Sequence, residues 1–125
     1  MKQITVEQVR RLHARLIDRF GGARGLRDPG ALEASLARPF AEFGGYEGFP
    51  SVPEKAAALL HGIVTAHAFV DGNERVGLAA TLVWLELNGH GFALDAEQRY
   101  QLTMRVADGS LGMSALTDLL SDVID

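Results

Sequence analysis

The stretch "NERVGLAATLVWLELNG", residues 73–89, constrains the fold more than any other part of the chain. Read as a helix it is apolar on nearly every face, and Asn88-Gly89 supplies a good C-terminal stop. A helix of that kind has to be buried. Its apolar run from Val76 to Leu87 is well short of the roughly 20 residues that cross a bilayer, and Glu86 interrupts its end, so a membrane span is not expected. The remainder of the chain must therefore wrap it.

The flanking segments have the amphipathic character that such wrapping requires. Thr5 and Gln8 form a capping-box pattern, after which Val6, Val9, Leu12, Leu16, Ile17 and Phe20 recur at helical spacing until Gly21-Gly22 stops them. Asp28-Pro29 opens a short second helix with an apolar stripe of Leu32 and Leu36, ending before Pro39. "RPFAEFGGYEGFPSVP" is rich in glycine, proline and aromatics and reads as an ordered loop or flap with room for a brief hairpin. Ser51 and Glu54 cap a third helix that runs to His67. Asp95 can cap a helix through Val106, and Ser114 a last one to Ile124. No period-two alternation is long enough for a sheet. The expectation is an all-α chain, a compact bundle of about six helices around a buried central one. At 125 residues it forms a single domain, 1–125.

Charge and cysteine usage then narrow the function classes. A net charge of −4 gives no whole-molecule field favouring nucleic acid, so no direct nucleic-acid partner is expected. The chain has no cysteine, which excludes disulfides and thiolate chemistry. The N-terminus "MKQITVEQVRRLH" has no apolar export region, and the cytoplasm is the expected compartment.

Just before the apolar run lies "HAFVDGNER", residues 67–75. Asn73 stands where the central helix begins, so the following amides point out unpaired at the positive end of the helix dipole, as an anion site requires. Gly72 lets an anionic group approach the backbone, and Arg75 offers a fork suited to phosphate. Asp71 can bind magnesium, an ion commonly held by one or two carboxylates together with substrate phosphates. His67 is of the type that takes a proton from an attacking hydroxyl near neutral pH, and Phe69 anchors the loop. A plainer reading stands beside this one. Asp-Gly-Asn is a common turn, asparagine a common cap, and a lone histidine usually packs.

The same nine residues resemble the signature of the Fic/Doc family, His-x-Phe-x-Asp/Glu-Gly/Ala-Asn-Gly/Lys-Arg. The resemblance extends to "LRDPGALEASLARP", "KAAALLHGIVTAHAFVDGN" and "LVWLELNG", which are similar to the death-on-curing branch. It implies a small helical bundle and a toxin of a toxin-antitoxin pair that transfers phosphate from ATP, with Mg2+, to a hydroxyl on a translation protein, elongation factor Tu. It also implies a cognate antitoxin whose C-terminal segment packs on the toxin as a helix, in an exposed apolar groove. Carried over, the catalytic base is His67, the magnesium ligand Asp71, and the phosphate cradle Gly72, Asn73 and Arg75.

Two positions depart from the family pattern. AMP-transferring members usually carry a second arginine where this chain has Leu78, which favours phosphate transfer over AMP transfer. At Glu74 the death-on-curing branch has lysine and AMP-transferring members glycine. Two unit charges about 4 Å apart at an effective dielectric near 20 interact by roughly 4 kcal/mol, so a carboxylate facing the phosphates opposes nucleotide binding. Three outcomes follow: Glu74 turns outward, it reaches magnesium or pairs with an arginine such as Arg19 or Arg38, or the domain is a catalytically silent binding module.

Other residues have structural readings. His13, His61 and His90 lack metal-ligand spacing and are expected to pack or face solvent. "GGARGLRDPG" has neither a Walker nor a dinucleotide pattern and reads as a turn. Trp84 is expected in the core.

Overall fold

In the computed structural model, which describes residues 1–125, six α-helices carry the fold. They are α1 (Val6–Phe20), α2 (Pro29–Ala37), α3 (Val52–Ala66), α4 (Asn73–Leu87), α5 (Ala96–Ala107) and α6 (Met113–Val123). Local chemistry sets most of the starts. Thr5 and Gln8 close a complete capping box on α1, and Asp95 and Gln98 another on α5. Asp28 caps α2 with a proline in its first turn, and Ser51 caps α3. The last helix differs from the expectation. It begins at Met113 with Gly112 as its extended cap residue, and Ser114 lies inside the first turn. Here the backbone conformation of Gly112 replaces a side-chain cap, and its carbonyl accepts from the amide of Leu116.

The buried centre is a pair of helices. α4 packs along α3, and α3 also touches α2, α5 and α6, so it is α3 that neighbours most of the bundle. Small residues explain this position. Ala56, Ala57, Ala58 and Gly62 of α3 are all buried, and the thin helix surface lets several neighbours approach. On the facing helix, a Cβ added to Gly77 would stand 2.7 Å from Cγ2 of Val64, so the α3–α4 contact itself requires a glycine. Trp84 lies in the core, as expected, fully buried with its indole N–H donating to the Lys2 carbonyl at 2.9 Å.

Between α2 and α3 a short 3-10 turn (Arg38–Phe40) leads into a small antiparallel hairpin, β1 (Glu42–Phe43) and β2 (Tyr46–Glu47). Gly44 and Gly45 both have positive φ, which suits a two-residue hairpin turn. The hairpin is tied down at its base. Buried Lys55 of α3 pairs with Glu47 at 3.2 Å and donates to the Phe49 carbonyl.

Candidate active site

The nine-residue motif occupies the loop between α3 and α4 and the first turn of α4, and the shape of the loop follows from both of its ends. His67 caps α3 in the left-handed conformation, φ 50°, the one non-glycine residue in the chain with positive φ. That conformation turns the chain sharply away from the helix axis. It costs of order 1 kcal/mol for a side-chain-bearing residue, and such strain collects at functional sites. Phe69 then drops into the core at 2% exposure. Asn73 fixes the other end: its Oδ1 accepts from the Phe69 amide and its Nδ2 donates to the Phe69 carbonyl, both at 3.0 Å. The Asn73 side chain is therefore committed to the loop, and only its backbone amide faces the helix start.

A second segment straps this loop from outside. The amides of Arg27 and Asp28 donate to the Ala68 carbonyl, and the Val70 amide to Gly25, forming a short bridge of Leu26 with Phe69. The Arg27 guanidinium donates to the His67 carbonyl at 2.5 Å. The glycine-rich segment after α1 is thus more than the turn its composition indicates. A Cβ on Gly22 would stand 2.6 Å from Oδ2 of Asp71, so glycine is what lets the strap approach.

Asp71 is the meeting point of loop and strap. Its Oδ2 accepts from the Ala23 amide at 3.1 Å and its Oδ1 from the Gly72 amide at 2.8 Å. These bonds, that of Ala23 first, hold the carboxyl below its usual value, and the nearby charge of Arg75 adds to the effect. An exposed carboxylate kept ionised in this way, with lone pairs remaining on both oxygens, fits a magnesium ion shared with a phosphate-bearing ligand. No group of three or more acids or histidines is arranged to enclose a metal within protein alone.

Beneath the loop is His13. It is buried, stacks on Phe69 with ring centroids 3.9 Å apart, and its Nε2 donates to the Asp71 carbonyl at 2.7 Å. Of the two expected roles, packing or facing solvent, His13 takes the first, at a place under the motif that its spacing alone does not indicate. His61 and His90 lie elsewhere: His61 near Arg38, and His90 bonded to the Asp125 carbonyl.

Gly72 precedes α4 in the left-handed conformation, and no side chain caps the helix, so its first amides stay available. A cavity of about 480 Å³ opens there. Asp71, Gly72, Glu74 and Arg75 form its polar wall, and Leu78, Tyr100 and Met104 stand among the residues of its apolar wall. His67, Phe69 and Asn73 do not line it. His67 is exposed at the end of α3, and the other two are buried supports of the loop. Glu74 lines the cavity without an ion-pair partner. Neither arginine considered for it is engaged there: Arg19 lies over the ring of Phe20 and Arg38 over Phe49. Both are drawn to aromatic faces near their own elements.

The sequence is similar to known proteins over most of its length. Residues 3–85 match the Fic/DOC family. Over 76 residues the chain is 45% identical to the protein named Toxin Doc of Mycolicibacterium smegmatis, a stretch covering 61% of this chain and 58% of that protein's length. Over 120 residues it is 33% identical to the protein named Protein kinase doc of Escherichia phage P1, covering 96% of this chain and 94% of that protein.

Proposed function

The chain belongs to the Fic/DOC family, and from that premise we propose that it is a death-on-curing type toxin that moves the terminal phosphate of ATP onto a hydroxyl of a translation protein. The observation that carries the proposal is the cavity at the start of α4, which gathers Asp71, Gly72 and Arg75 around uncapped helix amides. Developing negative charge on the transferring phosphoryl group is stabilised by such fixed donors, which need no reorganisation during reaction.

In this account His67 takes the proton of the target hydroxyl, whose oxygen forms the new bond to the γ-phosphorus. The bond to the β–γ bridging oxygen breaks, and ADP leaves. Arg75 and the amides of the first turn of α4 bind the phosphate oxygens. Asp71 would hold magnesium, which when bound neutralises phosphate charge. Phe69, Asn73 and His13 keep the loop in place. The target implied by the resemblance is elongation factor Tu, and the compartment is the cytoplasm. No helix is long and apolar enough to cross a membrane.

A small antitoxin is the expected partner, with a C-terminal helical segment docked in an apolar groove. A mainly apolar groove lies between α5 and α6, with Leu94, Leu102, Leu119 and Val123 in its lining, and a more polar one between α1 and α4, where Arg11 and Arg15 stand beside Leu12 and Val83.

AMP transfer is less well supported, because Leu78 leaves Arg75 as the only guanidinium lining the cavity. One observation favours a catalytically silent module: Glu74 lines the same cavity, unpaired. Calorimetry with ATP and magnesium on the wild type, Arg75→Ala and Asp71→Ala tests the binding half of the proposal. Both variants are expected to bind more weakly than the wild type, and unchanged affinity in both refutes the site.

A further inference from the structure

Arg75 carries the phosphate-binding role in the function proposed above, yet it is exposed and makes neither an ion pair nor a side-chain hydrogen bond. A free arginine side chain of that kind samples many rotamers and loses conformational entropy on being fixed. What holds it is the ring of Phe20, whose centroid is 4.7 Å from the Arg75 guanidinium carbon. Phe20 is the last residue of α1, and the next residue, Gly21, lines the cavity together with Arg75.

Phe20 is itself unusual. It falls on the apolar stripe of α1 by spacing, yet it remains 54% exposed and does not join the core. Its ring is engaged by charge: Arg19 also lies over it, with its guanidinium carbon 5.4 Å from the centroid. Stacking on a ring uses the flat face of a guanidinium and leaves the N–H groups in its plane free to donate. A guanidinium held against the ring in this way keeps N–H donors available for an anion.

We propose that Phe20 is a positioning residue, whose ring fixes the Arg75 guanidinium for a phosphate-bearing ligand. The proposal rests on the phosphate-binding reading of Arg75, and it assigns a role to an exposed aromatic outside the nine-residue motif. Arg19 adds a second positive charge beside that same ring.

The test is a double-mutant cycle read by calorimetry with ATP and magnesium, using the wild type, Phe20→Leu, Phe20→Tyr, Arg75→Ala and the double variant Phe20→Leu with Arg75→Ala. Phe20→Leu keeps apolar bulk and loses the aromatic face. It is expected to weaken ATP binding roughly two- to thirtyfold, the range of a cation–π contact, with the melting midpoint unchanged because the site is exposed. Phe20→Tyr restores affinity. In the Arg75→Ala background Phe20→Leu adds no further loss, a result that a general structural role would not produce. The proposal is overturned if Phe20→Leu binds like the wild type, or if its effect persists undiminished without Arg75. If Arg75→Ala itself binds like the wild type, the phosphate-binding reading falls and takes this inference with it, a pattern distinct from failure of Phe20 alone.

Discussion

Nε2 of His13 donates to the backbone carbonyl of Asp71 at 2.7 Å, joining the buried face of α1 to the loop that presents the candidate magnesium ligand. The imidazole also stacks on Phe69, 3.9 Å between centroids, so one side chain supports the loop by packing and by a hydrogen bond. The two contributions can be separated. His13→Phe retains an aromatic stack and removes the donor, leaving the Asp71 carbonyl without its partner. A loss of about 1–3 kcal/mol is expected in urea unfolding, with weaker ATP binding. Wild-type stability and affinity in this variant would remove His13 from the account.

The α3–α4 contact depends on Gly77. A methyl group there meets Val64 at 2.7 Å, inside a packed interface with little room to relax. Gly77→Ala gains helix propensity, but overpacking costs typically about 1–3 kcal/mol and prevails at this distance. The urea midpoint should fall. An equal or higher midpoint would show that α3 and α4 adjust freely.

Folding lowers the Asp71 carboxyl value, through the Ala23 amide first and the Gly72 amide next. For a depressed carboxyl the linked stability is present above the unfolded value and is lost as pH falls through the folded one. The contribution is therefore complete at neutral pH and declines in acid, below about pH 4. Asp71→Asn should show a shallower fall of melting midpoint between neutral and acid pH. Some dependence remains, because Asp108 is similarly lowered by its bonds to Ser110. Identical acid profiles for both proteins would contradict the role of the strap.

Much of this fold is legible in the sequence because helix starts are written in local chemistry. Thr5 with Gln8 and Asp95 with Gln98 satisfy amides within one turn, and no distant residue has to agree. The strap is different. Several of its contacts run from backbone to backbone, as between Val70 and Gly25, and the side chains that join them, Arg27 and Asp71, follow no periodic pattern. The available signal was the glycine spacing itself, since Gly22 and Gly25 both adopt positive φ against the loop. His13 had a signal too. It falls between Val9 and Ile17 on the buried stripe of α1, where a histidine needs a polar partner. Which partner, Asp71, depended on how α1 crosses α4.

Glu74 breaks the family pattern and lines the cavity beside Arg75 without an ion-pair partner. In the proposed function a carboxylate at that place opposes the approach of nucleotide phosphates. Glu74→Lys should bind ATP more tightly than the wild type and transfer phosphate at least as fast. Glu74→Gly should relieve the repulsion and still transfer AMP poorly, since Leu78 supplies no second guanidinium. Affinities by calorimetry decide, and weaker binding by the lysine variant would mean that Glu74 assists the ligand.

Label incorporation tests transfer of the terminal phosphate of ATP with His67 as the base. Purified elongation factor Tu is incubated with magnesium and either γ-labelled or α-labelled ATP, using the wild type, His67→Ala and Glu74→Lys. The target is expected to gain γ-label and none from α-labelled ATP, with a loss of at least about a hundredfold in His67→Ala. Label from the α position would contradict phosphate transfer in favour of AMP transfer. Absence of both labels with the wild type and Glu74→Lys, under conditions where a family toxin is active, would contradict the enzymatic account and leave a silent binding module.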